Sequence, residues 1–362
     1  MNNKPSVCLN MIVKNESQII TRCLDSVKDL IDYWVISDTG STDGTQQLIT
    51  DYFAQHGING LLIENEWKNF SHNRNCALTP ALGGAGYILI MDADDYLIQA
   101  PDFQWPPLSA GSYMLKMQRG NTDYYNTKLI RADLPWRWEG VLHEYLTCDT
   151  AHDSENLVGE CLIASTTEGA RSQNPDKYQR DADILEAALV EEPNNARYRF
   201  YLAQSYRDAG NYPKAIQHYQ QRVDMGGWEE EVYRALLEIA HAKHALGEDL
   251  FSIIRAYTDA HCYRPQRLEA LYYAVKLCRE HQFYGLGCQL GWEARHTPMS
   301  EDILFVEKGV YQWQFLDELS ICAIYAHKKA AAAELIHQLL ESPLTPAYER
   351  PRLQANLSFA RS

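Results

Sequence analysis

Hydrophobic and polar positions follow two different rhythms along this chain. Up to about residue 95, short apolar runs alternate with helical patterns, as a sheet built from β-α-β units requires. Val7–Val13, Tyr33–Ser37, Gly60–Ile63 and Tyr87–Met91 read as strands. Between the first two, Ile19, Ile20, Cys23, Leu24 and Val27 recur at the spacing of one helix face. Between the second and third, Ser41 or Thr42 can cap a helix with Leu48, Ile49, Tyr52 and Phe53 on its face, stopped by Gly57. Four strands and two crossover helices make a Rossmann-like α/β half-sheet.

From about residue 176 the β-branched runs vanish and helical patterns return at a period of about 34 residues, the mark of stacked helical hairpins. The clearest unit has Leu202, Ala203, Tyr206, Gly210, Tyr212, Ala215 and Tyr219 where a tetratricopeptide repeat places its knobs, small residues and turn. Gly247 and Pro265 punctuate a second unit, and Leu319 to Leu340 reads as a degenerate later one. Asn174-Pro175 suits a junction. The expected division is residues 1–172, an α/β domain, and 173–362, an all-α helical-hairpin domain. At 362 residues with 46% hydrophobic content, two cores are the default.

Charge and cysteine usage narrow the field. The net charge is −15, and residues 1–170 carry 11 basic against 22 acidic side chains, a poor match for a phosphate backbone, so nucleic acid is disfavoured as a partner. An acidic site still takes a phosphorylated ligand when a divalent cation sits between them. Nine scattered cysteines without a C-x-x-C pair suggest neither a disulfide framework nor zinc, and reduced thiols fit a cytoplasmic protein. No run approaches the ~18 apolar residues of a spanning helix, so no transmembrane segment is expected.

The most informative stretch is Tyr87-Ile-Leu-Ile-Met-Asp92-Ala93-Asp94-Asp95, an apolar strand running into three carboxylates. In open α/β sheets ligands bind beyond the carboxyl ends of the strands. Carboxylates this close need a cation or donors, and hard oxygen ligands suit Mn²⁺ or Mg²⁺ shared with phosphates. A solvated acidic turn has the same composition. Val35-Ile-Ser-Asp38 is again a strand ending in an acid before a Gly-rich turn, and Asp38 can accept from a base N–H or a sugar hydroxyl. Asp43 reads as a helix-start residue.

Taken together, Asn10 to Glu16, Ser37 to Thr45, Asn73-Arg74-Asn75 and Asp92 to Asp95 resemble family 2 glycosyltransferases of the GT-A fold. Gly169-Ala-Arg171-Ser, Phe200–Gly210 and Gly226-Gly-Trp228-Glu-Glu resemble bacterial members with an appended tetratricopeptide region, and the architecture resembles bacteriocin-type peptide glycosyltransferases more loosely. The resemblance implies Lys14, Asn15 and Glu16 beside the nucleoside, Asp38 on the base, and Arg74 on the base or phosphates. It puts Asp92 near the ribose and metal, Ala93 in the donor-binding turn, and Asp94 on the metal. Trp136-Arg-Trp138-Glu139-Gly-Val-Leu-His143-Glu144 resembles the family's segment after the metal motif, with His143 a further metal ligand and Glu144 or Glu139 the base. Arg171 would close over the diphosphate or cap the first repeat helix.

The activity implied is an inverting, metal-dependent transfer from a nucleotide-sugar donor, UDP favoured, to a peptide, protein or saccharide acceptor. The repeats could also serve oligomerisation. Two rivals remain: a catalytically inactive repeat scaffold, and another Mg-dependent nucleotide-utilising transferase, although neither a P-loop nor a G-x-G-x-x-G fingerprint is present.

Overall fold

A computed structural model describes residues 5–119, 122–157 and 161–362. The chain divides into two compact units, Met1–Ile184 and Leu185–Ser362, the boundary falling inside helix α4, Lys177–Glu191.

The N-terminal unit begins with the expected alternation: β1 (Val7–Val13), α1 (Ile20–Val27), β2 (Tyr33–Asp38), α2 (Thr45–His56), β3 (Gly60–Glu64), α3 (Phe70–Ala81) and β4 (Tyr87–Ile90). These four strands run parallel in the order β3-β2-β1-β4, with Val13 opposite Asp38 and Asn10 opposite Ile90. Period-2 alternation sorts their side chains onto two faces. Val7, Leu9, Met11 and Val13 pack with Ile20, Leu24, Ile49 and Phe53 of α1 and α2. Cys8, Val35, Ile88 and Ile90 pack with Leu78 and Ala81 of α3.

The sheet continues past β4 with strands the apolar pattern did not announce: β5 (Tyr96–Gln99), β6 (Ser112–Arg119), β7 (Thr122–Arg131), β10 (Ser154–Asn156) and β11 (Cys161–Ala164). Beyond β4 the order is β7-β6-β11-β5, with β10 beside β6, and β7 runs antiparallel to β4. A separate hairpin pairs β8 (Trp136–Glu139) with β9 (Tyr145–Cys148).

Two sequence expectations differ in detail. A third helix, α3, joins β3 to β4; its Asn69 N-cap accepts from the His72 N–H, and Pro80 lies inside it. Neither Ser41 nor Thr42 caps α2: the N-cap is Gly44 at φ 89°. The Ser41 hydroxyl instead accepts from the Asn15 N–H, and the Thr42 N–H donates to Asn15 Oδ1.

The C-terminal unit is all helix among its regular elements: α5 (Ala196–Asp208), α6 (Tyr212–Met225), α7 (Glu229–Ala245), α8 (Leu250–Tyr263), α9 (Glu269–Glu280), α10 (Tyr284–Gly291), α11 (Phe315–Tyr325), α12 (Lys329–Glu341) and α13 (Arg350–Arg361). Successive antiparallel pairs stack as expected, but their starts at Ala196, Glu229, Glu269 and Phe315 drift apart along the chain. The last interval holds an irregular connector. No helix among the described residues is long and apolar enough to cross a membrane, and all nine cysteines are free.

Candidate functional site

The loops after β1, β2 and β4 leave the sheet at one end, because those strands are parallel and in register. The β1 loop is clasped to the β2 loop. Asn15 adopts φ 57°, a left-handed conformation Asn tolerates, and its side chain and N–H both bond to residues 41 and 42. Next to it the Glu16 N–H donates to Thr45 Oγ1 and the Ser17 N–H to Asp43 Oδ2. Asp43 thus holds the loop pair together, and its hydrogen bonds with Thr45 and Ser17 outweigh burial to leave it at about 2. Lys14 is exposed beside them.

Asp38 closes β2 and is buried. Its Oδ1 accepts from the Gly40 and Ser41 N–H groups at 2.9 and 2.8 Å and from Gln46 Nε2 at 3.1 Å. Among the described residues its Oδ2 is buried with no hydrogen-bond donor, and an unmet buried acceptor asks for an explanation.

Asp92 to Asp95 form a turn closed by the Asp95 N–H on the Asp92 carbonyl. Arg74, on α3, donates through its terminal nitrogen to Asp92 Oδ1 and through Nε to Glu144 Oε1, both at 2.7 Å, while lying over the Trp138 ring. Its neighbours fix α3 in place: Asn75 exchanges two hydrogen bonds with the Trp138 backbone, and Asn73 bonds to Glu66 and Lys68. Burial disfavours ionisation of Asp92, but Arg74 and Lys128 outweigh it and hold this carboxyl well below the usual range.

Asp94 behaves oppositely. Burial first, then the Asp92 charge, pushes it up. Its Oδ2 accepts from the Gly169 N–H at 3.3 Å, and its carbonyl accepts from Thr166 Oγ1 and Arg22. Glu16 faces it: burial, then repulsion from Asp94, Asp43 and Asp92, lifts Glu16 to about 7 against a backbone hydrogen bond from Ala170. Asp94 Oδ2 and Glu16 Oε1 lie 3.1 and 3.4 Å from the point a Cβ would occupy at Gly169. Two carboxylates therefore converge across a residue that has no side chain.

The remaining expected residues divide. Glu144 lies on the turn of the β8–β9 hairpin, its side chain 11% exposed and bonded to Arg74. Glu139 is half-exposed and taken up by Arg137 and the Tyr145 hydroxyl. His143 is exposed at φ 52°. Among the described residues no three Asp, Glu, His or Cys side chains are grouped as a ready-made metal site, so Asp92, Asp94 and His143 are not gathered into one. Arg171 pairs with Asp181 of α4 and lies over the Phe70 ring.

Sequence reasoning missed Lys128 on β7, whose Nζ is 3.5 Å from Asp95 Oδ2 and 3.9 Å from Asp92 Oδ2. A lysine inside the run leading to Leu129 and Ile130 was the available signal. It singled out Gly169-Ala-Arg171 but not the strap from Thr166 to Ala170 over Asp94 and Glu16, which Arg22 anchors through Glu168.

Residues 8–103 match the family described as Glycosyl transferase family 2. The chain is 41% identical over 93 residues to a TPR repeat-containing protein of Synechococcus elongatus, covering 25% of this chain and 21% of that protein. It is 36% identical over 92 residues to the SPbeta prophage-derived glycosyltransferase SunS of Bacillus subtilis, covering 25% and 20%. The matched region is therefore about a fifth of the length of these relatives. Among solved structures, S. aureus TarS 1-349 in complex with UDP-GlcNAc aligns over 66% of this chain and 88% of that one, at 16% identity and a TM-score of 0.35. The strand ends that carry Asp38 and Asp94 lie within the family match, and residues 8–103 are a glycosyl transferase family 2 region.

Proposed function

We propose that this chain is a metal-dependent, inverting glycosyltransferase that moves a sugar from a nucleotide diphosphate donor, a UDP-sugar in the first instance, to a peptide, protein or saccharide acceptor. The observation that carries the reading is the pair of incomplete strand ends within the family 2 region. Asp38 Oδ2 is a buried acceptor without a donor among the described residues, suited to a base N–H. Asp94 and Glu16 converge with more negative charge than the surrounding protein compensates.

Mn²⁺ or Mg²⁺ fits that convergence, since such ions take one or two carboxylates and complete their shell with phosphate oxygens and water. Asp94 would hold the ion, with Glu16 beside it, and the ion would supply charge stabilisation for the departing diphosphate. Arg74 would contact phosphate or base. Glu144 is the candidate base and Glu139 the alternative; His143 stays a candidate ligand if the hairpin turn moves. Acceptor choice is assigned to the helical unit. Nine free cysteines suit the reducing cytoplasm.

A thermal-shift screen of UDP-, GDP- and dTDP-sugars with and without Mn²⁺, followed by nucleoside diphosphate release, tests the reading. One nucleotide class should raise the melting temperature only with Mn²⁺, and Asp94→Asn should abolish most of both signals while keeping the native melt. Absence of any shift or release would overturn it.

A further inference from the structure

A lysine enclosed by apolar strands is unstable as a cation unless acids face it. Lys128 sits on β7 directly before Leu129, which pairs with Leu89 of β4, so its ammonium lies under the turn that follows β4. Its side chain is 8% exposed. At 3.5 and 3.9 Å from Asp95 and Asp92, Nζ is at ion-pair range of both. Among the described residues Asp95 Oδ2 is buried without a hydrogen-bond donor, and although the Ser165 hydroxyl also bonds to this carboxylate, Lys128 is its compensating charge.

Three consecutive-turn carboxylates are thereby given three environments. Asp95 is held inward by Lys128, Asp92 is held between Lys128 and Arg74, and Asp94 has no cation at ion-pair range among the described residues. We infer that Lys128 is a positioning residue for donor and metal binding: it neutralises the inner side of the turn, acting through Asp95, so that the outward acids are Asp92, 42% exposed and already paired with Arg74, and Asp94, which is left without a cation among the described residues. The inference rests on the glycosyltransferase reading above. Without the ammonium, Asp92 and Asp95 repel one another and the turn loses the geometry that aims Asp94.

The test compares wild type with Lys128→Met, Lys128→Arg and the double variant Lys128→Met with Asp95→Asn. Three quantities are read: Mn²⁺-dependent UDP affinity by calorimetry, the split of kcat from donor KM, and the melting temperature of the ligand-free chain. Lys128→Met should weaken Mn²⁺–UDP binding by about tenfold to a hundredfold, the usual cost of losing an outer-shell partner. The loss should appear in donor KM before kcat. Lys128→Arg should keep most of the affinity, and the double variant, which removes the stranded acid along with the cation, should recover most of what the single loses.

An unchanged affinity in Lys128→Met overturns the inference, and so does a double variant as weak as the single. If the single does not fold, the double variant carries the test: near-normal affinity in it supports action through Asp95, and lost affinity overturns it. Should wild type itself fail to bind Mn²⁺–UDP or the other nucleotides, the functional reading falls; a double variant that melts above the single would still identify the ion pair.

Discussion

Both units bury charge, and they finish the task differently. In the helical unit, Arg267 and Glu269 are fully buried and answer each other with two hydrogen bonds of 3.0 Å. Arg267 also donates to Asp302 and to the Leu304 and Phe305 carbonyls, while Glu269 accepts from the Tyr311 hydroxyl and the Glu307 N–H. In the N-terminal unit, Asp38 leaves one oxygen unmet among the described residues, Asp94 is held above its ordinary range by burial and the Asp92 charge, and Glu16 by burial and the charges of Asp94, Asp43 and Asp92. A buried charge completed by its own chain is an element of architecture; one left incomplete at a strand end is prepared for a partner from outside.

The contrast breaks first where it is strongest. Glu269→Ala strands the Arg267 guanidinium in a dry interior and should cost about 3–5 kcal/mol, read as a lower urea midpoint. A loss near zero would show that the helical unit's pairs are as dispensable as surface ones. Glu144→Gln should leave folding and donor affinity nearly intact while lowering kcat by roughly 10²–10⁴-fold, the range for a lost general base. A normal kcat here with a collapsed one in Glu139→Gln would exchange the two roles.

A pH series sharpens the comparison. With its folded value lifted from 4.5 to about 7, Glu16 binds its proton more tightly in the native chain than in the unfolded one. Its contribution to stability is fully present below about pH 4.5 and is lost as pH rises through about 7. Glu16→Gln should therefore melt above wild type at pH 8 and no higher at pH 4, and Mn²⁺ with nucleotide should stabilise wild type more than the variant at pH 8. An equal difference at both pH values would refute the assignment. The smallest effect is expected for Glu139→Gln, an exposed pair with Arg137: an unaltered melt and a normal kcat.

Much of this was legible because strands β1 to β4 are apolar runs bounded by turn residues, and because Asp38 and Asp92 to Asp95 follow such runs directly. Helix α3 was not, since its apolar residues form no continuous stripe and Pro80 interrupts the pattern. The strands from β5 to β11 are mostly short, with β9 and β10 largely lacking buried positions, so alternation there is faint. Lys128 and the strap at 166–170 act through distant partners, which only the folded sheet brings near. Hairpin stacking was readable from the first repeat; the widening of the spacing before Phe315 was not, because the connector has no periodicity.

That connector carries a consequence for how the chain can change over generations. Glu230 accepts the N–H groups of Ile303 and Leu304, Arg267 holds the carbonyls of Leu304 and Phe305, and Glu269 takes the Glu307 N–H. These contacts address peptide groups that every non-proline residue possesses, while Ile303 and Phe305 are 83% and 49% exposed. Asp302 and Glu307 are gripped by their side chains, through Arg264, Arg267, Tyr273 and Arg234, and Arg234 also lies over the Phe305 ring. The segment is thus anchored largely by its backbone and open to change at Ile303, a place where mutation can redecorate the surface of the helical array without loosening it.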